Sequence, residues 1–215
     1  MALALLGAAC GDDDGGAVAD ERAEQVREAA TEAGLPSEVA DVLALAAQGP
    51  LATFQVGYAG TEGARLVVSQ APPDRRVDVI AAGVVVESRV LRGGVAYRCQ
   101  REDEALRCER AAGALEQPGT FTDDALDEFA EQLAASRDAL DLTVEDREVA
   151  DTDATCLVTA PKAGTPLDGT APSTDTLCLS PEGAQLLLDA GGERLVADSY
   201  STEVPDGTFD VEHLG

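Results

Sequence analysis

Tryptophan is absent from this chain, aromatic residues make up 3% of it, and histidine and lysine occur once each, as His213 and Lys162. With so few rings, the core has to be built from Val, Leu and Ala. A single histidine near the C-terminal end is more often solvent-exposed than catalytic, and no nucleophile–base pair stands out. CxxC, GxSxG, HExxH and GxxxxGK are all missing. No enzymatic activity and no cofactor are therefore expected. Positive charge is scarce as well: 15 Lys and Arg stand against 41 Asp and Glu, a formal net charge of −26. Such a surface repels phosphate backbones, which argues against nucleic-acid binding, and it repels an anionic membrane surface, so attachment to a membrane is expected through acyl chains and not through a basic patch. No stretch approaches the ~18 to 20 apolar residues of a spanning helix.

What is present begins at the N-terminus. MALALLGAAC is an apolar run ending in the small residues Gly7, Ala8 and Ala9 and then Cys10, followed by the acidic, glycine-rich GDDDGG. This resembles the tail of a bacterial lipoprotein signal peptide. Two departures stand out. Gly7 occupies the usual leucine position, with Leu6 one place further out. The run is also shorter than an h-region and has no basic residue before it, so the true start is expected further upstream. The resemblance implies that Cys10 is the lipidation site, carrying diacylglycerol and, on its amine, a further acyl chain such as palmitate. Two or more chains anchor stably where one is marginal. The expected location is the extracytoplasmic face of the cell membrane, lipid-anchored. The alternative is a free cysteine in an apolar terminus.

Four further cysteines remain, Cys99, Cys108, Cys156 and Cys178. An even number in an exported chain suggests disulfides, and four cysteines allow three pairings. VAYRCQ and ALRCER read as two strands around a tight turn at Asp103 and Glu104, which sets Cys99 opposite Cys108 on one face. ATCLVTA and TLCLS repeat this around the 161–173 loop and pair Cys156 with Cys178. No metal is expected at these cysteines. The acid groups Asp12–Asp14 and Asp151/Asp153 lack EF-hand spacing and read as solvated charge.

Residues 20–33 combine strong helix formers with an acidic first turn. Their apolar stripe is thin, so this helix is expected to be exposed or partly ordered, behind a flexible tether reaching Ala19. A second helix over 38–47 shows Val39, Val42, Leu43 and Ala46 at helical spacing. From Leu51 the period becomes two. Short strands then follow one another through turns at Gly60–Gly63, Gly83 and Gly93–Gly94, with Pro72 and Pro73 read as a break in the ladder. A third, amphipathic helix over 123–135 has Thr122 as its N-cap and Leu126, Phe129 and Leu133 on one stripe. Strands return over 142–149, 155–159, 176–179, 184–189 and 193–202. Tyr97 and Tyr200 are read as strand residues with one wet edge.

The expected fold class is α+β: an antiparallel curved sheet, an incomplete β-barrel, with helices covering the open face. Three regions are expected: a signal remnant over 1–10, an acidic tether and helical segment over 11–37, and a half-barrel domain over 38–215. The strand LATFQVGYAG, the segment APPDRRVDV, the hairpin RGGVAYRCQ…LRCER and the ending LCLSPEGAQLLLDAGGERLVADSYSTEVPDGTFDV carry a likeness. The ending closes on Pro205, Asp206 and Phe209. In these the chain resembles the actinobacterial relatives of the lipoprotein-carrier superfamily, the LolA- and LppX/LprG-like proteins. The resemblance implies an apolar cavity between sheet and helices that takes acyl chains of lipids or lipoproteins. Phe54, Val56, Tyr58, Val77, Val79, Leu126, Phe129 and Leu133 are then its candidate walls. The same residues would serve an ordinary filled core equally well, because a greasy cavity has no polar signature. The expected function is a membrane-anchored carrier or sensor, monomeric, with a lipid or acylated protein as partner. The alternative is a structural or interaction lipoprotein of the same fold with a filled core.

Overall fold

A computed structural model describes residues 14–111, 118–164 and 174–211. Cys10 and His213 lie outside the described residues, as do Asp12, Asp13 and most of the 161–173 loop. The chain opens with two helices, α1 (Asp14–Glu32) and α2 (Ser37–Gln48), separated by Gly34 and Pro36. A meander follows: β1 (Phe54–Ala59), β2 (Arg65–Ala71), β3 (Asp74–Ala81), β4 (Val84–Arg92), β5 (Val95–Glu102) and β6 (Ala105–Arg110). Helix α3 (Asp123–Ser136) leads into a second meander: β7 (Leu140–Val149), β8 (Thr152–Pro161), β9 (Asp175–Leu179), β10 (Gln185–Ala190) and β11 (Glu193–Ser201).

All eleven strands form one antiparallel sheet that does not close, in the order β6-β5-β4-β3-β2-β1-β11-β10-β9-β8-β7. The first meander runs outward from the centre to one edge. After α3, the second begins at the opposite edge and returns until β11 pairs with β1, with Val56 opposite Tyr200. Bulges at Gly57/Tyr58, Val79/Ile80 and Gln185/Leu187 interrupt the register, and each bends the sheet locally.

Several boundaries differ from the sequence reading. Pro72 and Pro73 do not break the ladder; they form the turn between β2 and β3, and pairing resumes at once with Ala71 opposite Asp74. Helix α1 starts at Asp14, so the end of the expected tether is helical. It is also not an exposed appendage. Ala23, Val26 and Ala30 are buried, and α1 packs along α2. Alanines on one stripe let the two helix backbones approach closely, which a sequence search for large apolar residues overlooks. The expected cap on α3 is present, with Thr122 Oγ1 accepting from the Ala125 amide at 3.2 Å.

The core divides in two across the second meander. On one face of β8 and β9, Leu157, Leu177 and Leu179 join Val39, Val42 and Leu43 of α2 and Leu126 and Leu133 of α3. On the other face, Cys156 and Cys178 join Phe54, Val56, Tyr58, Val68 and Leu186. The alternation of side chains along a strand produces this split. Both cysteine pairs are joined, Cys99 to Cys108 and Cys156 to Cys178. In each pair the two residues stand directly opposite one another in the ladder.

Candidate functional site

Helix α3 is the least firmly seated helix in this arrangement. Of its side chains only Leu126 and Leu133 are fully buried, and Phe129, Ala130 and Ala134 are half-buried. Its ends are tied to α1. Arg22 lies 3.0 Å from Asp123 and 3.9 Å from Asp127. At the far end Arg137 Nη1 donates to the Ala33 carbonyl at 2.6 Å. The pairing of early residues with early and late with late makes α1 and α3 run parallel.

A cleft opens on each side of α3. The first, of about 360 Å³, lies between α3 and the face of β8–β10 that carries Leu157, Leu177 and Leu188. Phe129, Leu133 and Phe121 form its roof, and the rings of Phe121 and Phe129 stack at 5.5 Å. The second, of about 530 Å³, runs between α1 and α3 over a floor of alanines with Val26 and Leu126. Both volumes fall in the range of roughly 300–1,000 Å³ usual for small-molecule sites. Both walls are mainly apolar, so the arrangement suits hydrocarbon.

A buried polar cluster lies behind Phe121 and Gln185, which line the first cleft. The Tyr58 hydroxyl donates to the Gln185 carbonyl at 2.6 Å, and the Gln185 amide donates to the Gly119 carbonyl at 2.9 Å. Arg75 donates to Gln70 Oε1, to Thr120 Oγ1 at 3.1 Å and to the Pro118 carbonyl. Gln70 in turn donates to the carbonyls of Gly49 and Ala52 at 2.7 and 2.8 Å. The cluster thus pins residues 118–120, which lead into α3, to the sheet and to the end of α2. Arg75 has no carboxylate partner among the described residues, and its Nε is buried without a hydrogen bond. Burial pushes its guanidinium down to about 10 and the Tyr58 phenol upward.

No protein-family model matches this chain, and no curated protein matches its sequence. Its site is therefore read from its own residues.

The eight candidate wall residues do not line one space. Phe129 and Leu133 line the first cleft and Leu126 the second. Phe54, Val56, Tyr58 and Val77 line neither; they pack with Val68, Ala184 and Leu186 in the cluster on the far side of the sheet. Val79 is half-buried on β3 opposite Leu66. Sequence reasoning missed Phe121, Leu157, Leu177 and Leu188. The signal was available, since Leu157 and Leu177 neighbour Cys156 and Cys178 and must face the opposite side of the sheet. Among the described residues no group of three or more His, Cys, Asp or Glu could hold a metal ion, and no helix is long and apolar enough to cross a membrane. Asp151 lies in the β7–β8 turn and Asp153 on β8, both exposed.

Proposed function

We propose that this chain is an envelope lipoprotein, anchored through Cys10, that binds acyl chains of lipids or lipoproteins without covalent chemistry. The observation that carries the reading is the apolar cleft between α3 and β8–β10. A helix that served only to complete a core would close that space with its own side chains. Here Phe129 and Leu133 roof it instead. On this reading the sheet is an incomplete barrel, the helices cover its open face, and the likeness to LolA- and LppX/LprG-like carriers extends to function. The exported location agrees with two disulfides in a chain of this length, because such bonds persist in oxidising compartments.

A second reading, a structural or interaction lipoprotein, draws on the well-filled cluster around Phe54, Val56 and Tyr58. Two measurements decide between them. The full chain, purified from its native host and examined by native mass spectrometry, is expected to carry lipid mass that organic extraction removes. A clean protein mass refutes the carrier reading and favours the structural one. Radiolabelled palmitate is expected to mark the chain and to leave Cys10→Ala unmarked. Equal labelling of both overturns the anchor.

A further inference from the structure

Resting on the carrier reading, we infer that the ligand is a two-chain phospholipid that straddles α3, one chain in each cleft, with its phosphate held by Arg137 and Lys162. The two clefts lie on opposite sides of one helix, between Leu126 and Ser136. They converge where α3 ends, because Ser136 and Leu140 line the first and Ala33 and Ala134 the second. Arg137 follows Ser136 directly, and its guanidinium reaches the Ala33 carbonyl, so it lies between the two mouths. Lys162 Nζ donates to the Arg137 carbonyl at 3.0 Å, and the Lys162 amide donates to the Ala139 carbonyl at 2.8 Å. The only lysine of the chain therefore sits on the main chain of an arginine at the end of α3.

Their surroundings make the pair unusual. In a chain of net charge −26, neither Arg137 nor Lys162 forms a salt bridge with a described carboxylate; both donate to main-chain carbonyls instead. The end of α3 accounts for their attraction to that spot, since a helix C-terminus favours cations. Among the described residues no carboxylate takes up their remaining donors, which can serve an outside acceptor. A phosphate offers several oxygens and suits both an arginine fork and a lysine point charge. Glu131 stands on the wall of one cleft and Asp175 on the wall of the other. These carboxylates disfavour a fatty-acid head drawn into either cleft and leave the mouth, beside the two cations, as the place for anionic oxygens.

The experiment titrates the full chain with three pyrene-labelled probes: phosphatidylglycerol, diacylglycerol and a fatty acid. Phosphatidylglycerol is expected to bind at least tenfold more tightly than either of the others. The double variant Arg137→Gln, Lys162→Gln is expected to abolish the advantage over diacylglycerol while the far-ultraviolet spectrum stays unchanged. Ala29→Trp, at an exposed wall of the α1–α3 cleft, and Gln132→Trp, at an exposed wall of the other, are each expected to weaken phosphatidylglycerol about tenfold. In each case the fatty acid stays bound through the open cleft. Equal binding of diacylglycerol and phospholipid, or an advantage that survives the double variant, overturns the phosphate site. Phospholipid binding untouched by Ala29→Trp overturns the two-cleft arrangement. A bound fatty acid with no tighter phospholipid sinks this inference alone, whereas failure of all three probes sinks the carrier reading with it.

Discussion

Tyr58 is 1% exposed and Arg75 6%, and both are held in one cluster of hydrogen bonds. A buried cation without a carboxylate is costly unless its donors are satisfied. Arg75 meets that need mostly with neutral acceptors, Gln70, Thr120 and the Pro118 carbonyl. The phenols give the fold a pH dependence of definite sign. Burial raises Tyr58, and burial with the Glu182 carboxylate raises Tyr200. In the unfolded chain a tyrosine loses its proton near pH 10. The folded phenols keep theirs, so their contribution is complete below about pH 10 and is lost as the pH rises above it. Arg75 acts the other way as the pH rises from about 10 toward its ordinary, higher value, one guanidinium against two phenols. The expected outcome is cooperative alkaline unfolding above pH 10, with the tyrosinate absorbance of Tyr58 appearing only as helical signal is lost. Ionisation of Tyr58 in an intact fold at pH 10, read as the difference spectrum against Tyr58→Phe, contradicts this.

The elements meet most tightly where α2 ends against the β9–β10 turn. A Cβ on Gly49 would fall 2.4 Å from the Gly183 carbonyl oxygen, and one on Gly183 would fall 2.1 Å from the Leu45 carbonyl oxygen. Gly183 also has φ +81°, a conformation that L side chains rarely adopt. Gly183→Ala therefore combines backbone strain with a main-chain clash and is expected to cost about 2–4 kcal/mol. Gly83→Ala supplies the comparison. It has a similar φ of +77° but open space around it, so its cost should stay near the strain of about 1 kcal/mol alone. Urea melts of the two variants check this; equal losses would show that the contact between α2 and the turn contributes nothing. The sequence marks SPEG as a turn, and the turn is there. It does not mark Gly49 as its partner, because that contact joins residues more than a hundred positions apart. Ala150 and Asp151, at φ 54° and 58°, make a tight turn without a glycine, which local turn rules do not flag.

Across the whole molecule, charge is unevenly spread. Residues 65–110, the β2–β6 part of the sheet, hold nine of the 15 cations and only seven of the 41 acids. The helices and the β7–β11 part of the chain carry most of the excess negative charge. Exposed ion pairs such as Arg65–Asp198 and Arg92–Asp210 each contribute only ~0–1 kcal/mol, too little to offset that repulsion. Raising the ionic strength from about 0.01 M to 1 M shortens the screening length from ~30 Å to ~3 Å. The thermal midpoint is expected to rise over this range. A fall would mean that the ion pairs outweigh the repulsion.

What the sequence determined by itself is local and periodic. Alternation placed the strands, turn residues placed most hairpins, Thr122 capped α3, and ladder symmetry set Cys99 against Cys108. It also carried the candidate anchor at Cys10, which lies outside the described residues. What only the tertiary structure decided is which apolar residues meet one another. Phe54, Val56 and Tyr58 have the same pattern whether they line a hole or fill a core, and only the bend of the sheet and the arrival of β11 beside β1 pack them. The alanines of α1 gain meaning only once α2 lies against them. The clefts beside α3 are likewise invisible in the sequence, because empty space is a property of how distant segments fail to touch and no single residue encodes it.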